Sequence, residues 1–150
     1  MANLLHDRLF ARHETSDRTF LILPDGREIP YRAFLETASR FAHALRGAGV
    51  RTGDRVAVQV KKSPEALALY AACVKAGAIF LPLNTAYTAS EVAYFVNDAQ
   101  AKLLVCDSSA VEALAPIAQG AGAGLLTLDG DGSGTLAQAT SGAPAHFEPA

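Results

Sequence analysis

Apolar residues along this chain recur with two periods, and the switches between them mark out its elements. From Tyr31 to Ala48, Phe34, Leu35, Ala38, Phe41, Ala42 and Leu45 follow one another at threes and fours, which paints one stripe on a helix of four to five turns. Gly47 and Gly49 are expected to cap its end. Arg55–Val60 is a β-branched, mostly apolar run after Gly53-Asp54 and predicts a buried strand. Ser63-Pro64 then supplies an N-cap and a first helical residue for an alanine-rich helix over Glu65–Lys75, closed by Gly77. A short strand at Ala78–Leu83 follows, and Thr88-Ala89-Ser90-Glu91 has the spacing of a capping box for a helix running to Asn97. Lys102–Cys106 predicts a third strand, Val111–Gln119 a helix despite Pro116, and Gly124–Leu128 a fourth strand.

The start of the chain reads differently. Leu4, Leu5, Leu9 and Phe10 are spaced as the apolar face of a short amphipathic helix over Asn3–His13, with Asn3 as its N-cap. Thr19–Leu23 and Arg27–Ile29 flank Pro24-Asp25-Gly26, the chemistry of a tight reversal, so residues 19–30 predict a hairpin. Strands and helices alternating over residues 31–128 with short connections require right-handed crossovers, hence an α/β fold whose parallel sheet has helices on both faces. Residues 1–142 are read as this α/β portion and residues 143–150, with two prolines and little periodicity, as a connector leaving it.

Composition narrows the function classes. Thirteen Lys and Arg against fifteen Asp and Glu leave a formal net charge of -2, which argues against a sequence-independent grip on nucleic acid. No apolar run approaches the roughly 20 residues that cross a bilayer, and Asn3, His6, Asp7, Arg8 and Arg12 interrupt what a secretory leader would need. Cys73 and Cys106 stand isolated in apolar contexts, so a reducing cytoplasm is the expected compartment.

Few residues group into chemistry. His6, His13, His43 and His146 have no metal-ligand spacing and are expected on the surface or on helix faces. Asp129-Gly130-Asp131-Gly132-Ser133-Gly134 has the start of a calcium loop, but its twelfth position is Thr140 rather than a bidentate glutamate, so a polar surface turn is expected. Cys106-Asp107 at a strand end invites a phospho-acceptor reading, which the non-acidic end of Arg55–Val60 opposes. Lys61 and Lys62 lie between a strand end and a helix N-terminus, where anions dock in α/β folds, and are candidate anion contacts. No catalytic residue and no metal ligand is assigned.

Several linked motifs add a resemblance. Thr52-Gly53-Asp54-Arg55-Val56-Ala57-Val58, Ser63-Pro64-Glu65 and Lys75-Ala76-Gly77-Ala78-Ile79-Phe80-Leu81-Pro82-Leu83-Asn84 resemble the opening motifs of the AMP-forming acyl-CoA synthetases. Tyr87-Thr88-Ala89-Ser90-Glu91-Val92, Asn97-Asp98-Ala99 and Lys102-Leu103-Leu104-Val105 are similar to the next block, and Ile29-Pro30-Tyr31-Arg32-Ala33-Phe34 to an earlier one. Within that superfamily, Val58–Ala66 followed by Leu81–Thr88 looks most like the malonyl-CoA synthetases.

The resemblance implies the N-terminal part of the large domain of the adenylate-forming fold. It also implies a full-length enzyme that uses ATP, Mg2+ and CoA, adenylates malonate, releases pyrophosphate, then passes the malonyl group to CoA with loss of AMP. The family's Ser/Thr/Gly-rich phosphate loop, its aromatic-Thr-Glu motif, its ribose-binding Asp and its adenylating lysine have no match in these 150 residues. This chain alone is therefore expected to be inactive, to hold none of these ligands tightly, and to self-associate through uncovered apolar surface. Asn84 and Tyr87 are candidate lining residues of the acyl or pantetheine passage, although Thr85 and Ala86 replace the proline and arginine that some relatives carry there. The rival expectations are a self-contained, non-catalytic flavodoxin-like binding module and a ligase for another carboxylic acid.

Overall fold

The computed structural model describes residues 3–150 and orders them as helix α1 (Leu4–Leu9), a hairpin of β1 (Thr19–Ile22) and β2 (Glu28–Pro30), then α2 (Tyr31–Gly47). There follow β3 (Arg55–Gln59), α3 (Pro64–Ala76), β4 (Ile79–Pro82), α4 (Ala89–Asp98), β5 (Leu103–Cys106), α5 (Val111–Gly120), β6 (Gly124–Thr127) and a single turn of helix, α6 (Thr135–Gln138). Strands β4-β3-β5-β6 form one parallel sheet, in register Val56–Phe80, Val56–Leu103 and Leu103–Gly124 across its three seams. The expected α/β architecture is present, with α6 as an element that the sequence pattern did not announce.

Side-chain alternation divides the core in two. Val56, Val58, Leu103 and Val105 face one side, where α2 and α3 cover them, while Ala57, Leu104 and Cys106 face the other under α4 and α5. The predicted stripe on α2 is buried at Phe34, Leu35, Ala38, Phe41, Ala42 and Leu45. Both cysteines are free and fully buried, Cys73 inside α3 and Cys106 at the end of β5. No helix among the described residues is long and apolar enough to cross a membrane.

Capping follows local chemistry. Ser63 Oγ accepts from Ala66 N at 3.0 Å with Pro64 opening α3, and Thr88 and Glu91 form the reciprocal capping box of α4. Gly77 closes α3 at φ 67°, where an added Cβ would lie 2.9 Å from Thr52 Cγ2, so both conformation and space call for glycine. The last carbonyls of α3 are all taken. Gly77 N and Ala78 N donate back to Val74 O and Cys73 O, Asn3 Nδ2 donates to Val74 O, Ala150 N to Lys75 O and Arg46 Nη2 to Ala76 O.

Four expectations need correction. On α1 the leucines point outward, Leu4, Leu5 and Leu9 all being exposed, and the buried residues of that segment are His6 and Phe10. His6 is thus no surface histidine; it packs towards Glu14 because α1 lies on the end of α3. Gly47 is not a cap but lies inside α2, whose C-cap is Ala48, and Gly49 at φ 84° makes the turn. Residues 143–150 lie back on the domain: Phe147 is buried, with its ring 4.9 Å from that of His43, and Ala150 reaches the end of α3.

Candidate functional site

In the sheet order β4-β3-β5-β6 the chain steps from β3 to one side and then returns to the other, so the switch point lies between the C-terminal ends of β3 and β5. Open α/β sheets bind ligands in the crevice at that point. Here a cleft of about 210 Å³ opens there, lined by Gln59, Lys61, Thr85, Asp107, Ser109 and Ala110. Beside it lies a larger cleft of about 660 Å³, lined by Val60, Lys61, Lys62, Pro82, Leu83, Asn84 and Thr85. Lys61 and Thr85 border both. A separate cleft of about 340 Å³ near Asp54, Asn97, Gln100 and Lys102 sits at the opposite end of the sheet, among helix ends and turns.

The structure brings Lys61, Lys62 and Asn84 to the larger cleft and leaves Tyr87 beside it. Both lysines are exposed, at the foot of the N-terminus of α3, where the helix dipole adds positive potential. Lys61 Nζ stands 3.7 Å from Asp107 Oδ2, a distance and exposure that make the pair weak and leave the ammonium available. Lys62 makes no ion pair among the described residues. Asn84 Oδ1 accepts from Ala86 N at 2.9 Å and so builds its own turn, and Tyr87 stacks on Phe95 with ring centroids 5.3 Å apart.

Gln59 organises this loop and was not singled out in the sequence. It ends an apolar strand, is 9% exposed, and its Nε2 donates to Asn84 O at 3.0 Å and to Tyr87 O at 3.1 Å. One side-chain amide therefore ties the exit of β4 to the end of β3. Its signal in the sequence is a polar side chain at the last position of the run Arg55-Val56-Ala57-Val58-Gln59.

The acidic groups nearby are occupied in turns. Asp107 accepts from Ser109 Oγ at 2.6 Å and from Ser109 N at 3.0 Å, and these bonds, with the smaller influence of Lys61, hold its carboxyl below the usual range. Asp129 receives Ser108 N and Oγ at 2.7 and 2.6 Å, and Asp131 receives Ser133 N and Oγ at 2.9 and 2.6 Å. Asp129–Gly134 is a polar surface turn, and among the described residues no group of three or more His, Cys, Asp or Glu is placed to hold a metal. Burial and the carboxylates of Asp107 and Asp129 push the Cys106 thiol up to about 11, so it is no nucleophile. What remains at the cleft mouth is a surface of positive potential, two exposed ammonium groups beside a helix N-terminus.

Comparison with known proteins gives this surface a setting. The family described as AMP-binding enzyme matches residues 10–149. The apo crystal structure of MatB from Rhodopseudomonas palustris is similar over 100% of this chain and 30% of its own, with 42% identity and a TM-score of 0.94. Its ATP-bound form gives the same identity and coverage, with a TM-score of 0.95. Among curated relatives, the fatty acid–[acyl-carrier-protein] ligase ScoC of Streptomyces coeruleorubidus is 36% identical over 94 residues, 63% of this chain and 18% of the relative. The chain thus spans less than a third of the solved structures and less than a fifth of that relative.

Proposed function

The chain belongs to the AMP-binding enzyme family, and from that premise we propose that it forms the N-terminal part of an acid–CoA ligase that activates malonate. In the complete reaction the malonate carboxylate attacks the α-phosphorus of ATP and expels pyrophosphate. The CoA thiol then attacks the malonyl carbonyl, AMP leaves, and the thioester remains. The single observation that carries this reading is the likeness to MatB over the whole chain at 42% identity, and the motif resemblance to malonyl-CoA synthetases runs through the same residues.

This chain's own part is positional. Lys61 and Lys62 bring positive potential to the cleft and take an anionic group there, while Gln59 holds the Asn84–Tyr87 loop that lines the passage for the acyl group or pantetheine. Family enzymes use ATP, Mg2+ and CoA. The described residues do not converge on a metal site, so no step is assigned to Mg2+ on this chain. Taken alone, the 150 residues bind none of the substrates tightly and turn nothing over. Exposed Leu4, Leu5, Leu9, Ile22, Ile79 and Tyr94 promote self-association of the isolated chain in the cytoplasm, which sedimentation velocity checks.

The test expresses the reading frame that carries this chain to its stop codon and supplies ATP, CoA and, in separate reactions, malonate, acetate, benzoate or a fatty acid. Malonate-dependent pyrophosphate and malonyl-CoA are expected. Turnover confined to another acid replaces malonate and keeps the ligase; this second reading is favoured by the fatty-acid ligase among the relatives. A protein that releases pyrophosphate with none of the acids, yet folds as a monomer and binds no hydrophobic dye, points instead to a flavodoxin-like binding module.

A further inference from the structure

Gln59 has one half of its amide committed and the other half open. It ends β3 at the switch point of the sheet, in register with Cys106 of β5, and is 9% exposed. Its Nε2 donates to Asn84 O at 3.0 Å and to Tyr87 O at 3.1 Å, which uses both of its N–H bonds. Both partners are carbonyl oxygens, so the amide cannot be turned over: an oxygen in the nitrogen's place would face two acceptors. Oε1 is thereby fixed as well. It makes no hydrogen bond among the described residues and is not sealed from solvent, and Gln59 lines the cleft of about 210 Å³ at the strand ends.

An acceptor held in this way selects its ligand by chemistry. A carbonyl oxygen on a side chain nine-tenths buried, with no donor of its own, gains a hydrogen bond from an entering N–H and repels a group that brings only lone pairs. Malonate, ionised at neutral pH, brings only acceptor oxygens. Lys61 and Asp107 line this cleft with opposite charges 3.7 Å apart, so it offers a dianion little net attraction. A secondary amide fits instead. Its N–H suits Oε1, and its carbonyl can accept from the Thr85 hydroxyl or the Lys61 ammonium on the walls of the same cleft.

Among the reactants of an acid–CoA ligase, the reading on which this inference rests, secondary amides are carried by CoA, in its pantetheine arm. We propose that Gln59 Oε1 receives an amide N–H of that arm, so that the narrower cleft serves CoA and not the acid. Gln59 then has two tasks in one side chain. Its nitrogen holds the Asn84–Tyr87 loop, and its oxygen meets the ligand that the loop borders.

Steady-state kinetics of the complete enzyme test this with CoA and with two analogues, each carrying an ester oxygen in place of one amide N–H. One ester is expected to raise KM about tenfold over CoA, since a hydrogen bond is replaced by two facing oxygens, and the other to behave as CoA does. Gln59→Leu is expected to raise KM for CoA about tenfold, to leave KM for ATP and malonate within about twofold, and to treat CoA and both esters alike. A Gln59 that only tied the loop would shift all three thiols together and leave the ester penalty in place. Equal KM for CoA and both esters in the unaltered enzyme, or an ester penalty that survives in Gln59→Leu, overturns the proposal. Should Gln59→Leu fail to fold, Gln59→Lys keeps donors for the two carbonyls without an acceptor, and a penalty that persists there equally overturns it. Acid-dependent release of pyrophosphate without CoA reads the ligase reading separately. If it is absent, calorimetric titration with CoA and the two esters makes the same comparison, and a protein that binds none of the three overturns the contact.

Discussion

The two ends of α3 have opposite characters. At its N-terminus Ser63 provides one cap, Pro64 removes one donor, and the remaining polarity opens onto the clefts beside Lys61 and Lys62. At its C-terminus, Asn3, Arg46, Ala150 and the Gly77 turn close on the carbonyls from four different parts of the chain. The contrast teaches that one helix can be fastened at one end so that the other end remains available. The bound end carries stability, and the open end leaves its dipole and its cations exposed.

Substitutions at the closed end are the largest ways to break this contrast. Lys75→Ala removes three buried methylenes at about 0.8 kcal/mol each along with the Glu14 contact, and a loss of about 3 kcal/mol is expected in urea unfolding. Acid acts on the same contact. Because Glu14 is held below its ordinary value, its contribution is complete above about 4.5 and is lost as pH falls through the lowered value, which an acid titration followed by circular dichroism reads. Gly77→Ala places a Cβ 2.9 Å from Thr52 in a left-handed conformation, for a loss of about 2 kcal/mol measured as a drop in Tm.

Changes at the open end sharpen the contrast by costing less. Ser63→Ala is expected to lower stability by about 1 kcal/mol and to speed exchange in the first turn of α3. Lys61→Ala is expected to change stability by less than about 0.5 kcal/mol, since its pair with Asp107 is long and exposed. If Lys61 meets an anionic substrate, the same substitution in the complete enzyme raises KM with little change in kcat; a wholly unchanged KM removes it from the site.

Much of the architecture was legible because local chemistry and burial agree. Ser63-Pro64, the Thr88–Glu91 box and the apolar stripe of α2 each satisfy a local rule that the tertiary structure also uses. The face of α1 was not legible, since six residues bury little by themselves and His6 packs beside Glu14, which is itself held by Lys75 far along the chain. The packing of Phe147 against His43 is equally non-local. At the candidate site, Lys61 and Lys62 could be placed from their position between a strand end and a capped helix. Gln59 could not, because its two carbonyl partners come from the loop after the next strand.

Cys73 and Cys106 leave the molecule silent towards thiol reagents. Burial pushes Cys73 up to about 12, and burial with Asp107 and Asp129 pushes Cys106 up to about 11, so at neutral pH neither presents an accessible thiolate. A fluorophore aimed at one cysteine introduced on the exposed loop at Thr85 therefore labels that position alone, and cleft occupancy can be followed by light with both native sulfurs left in place.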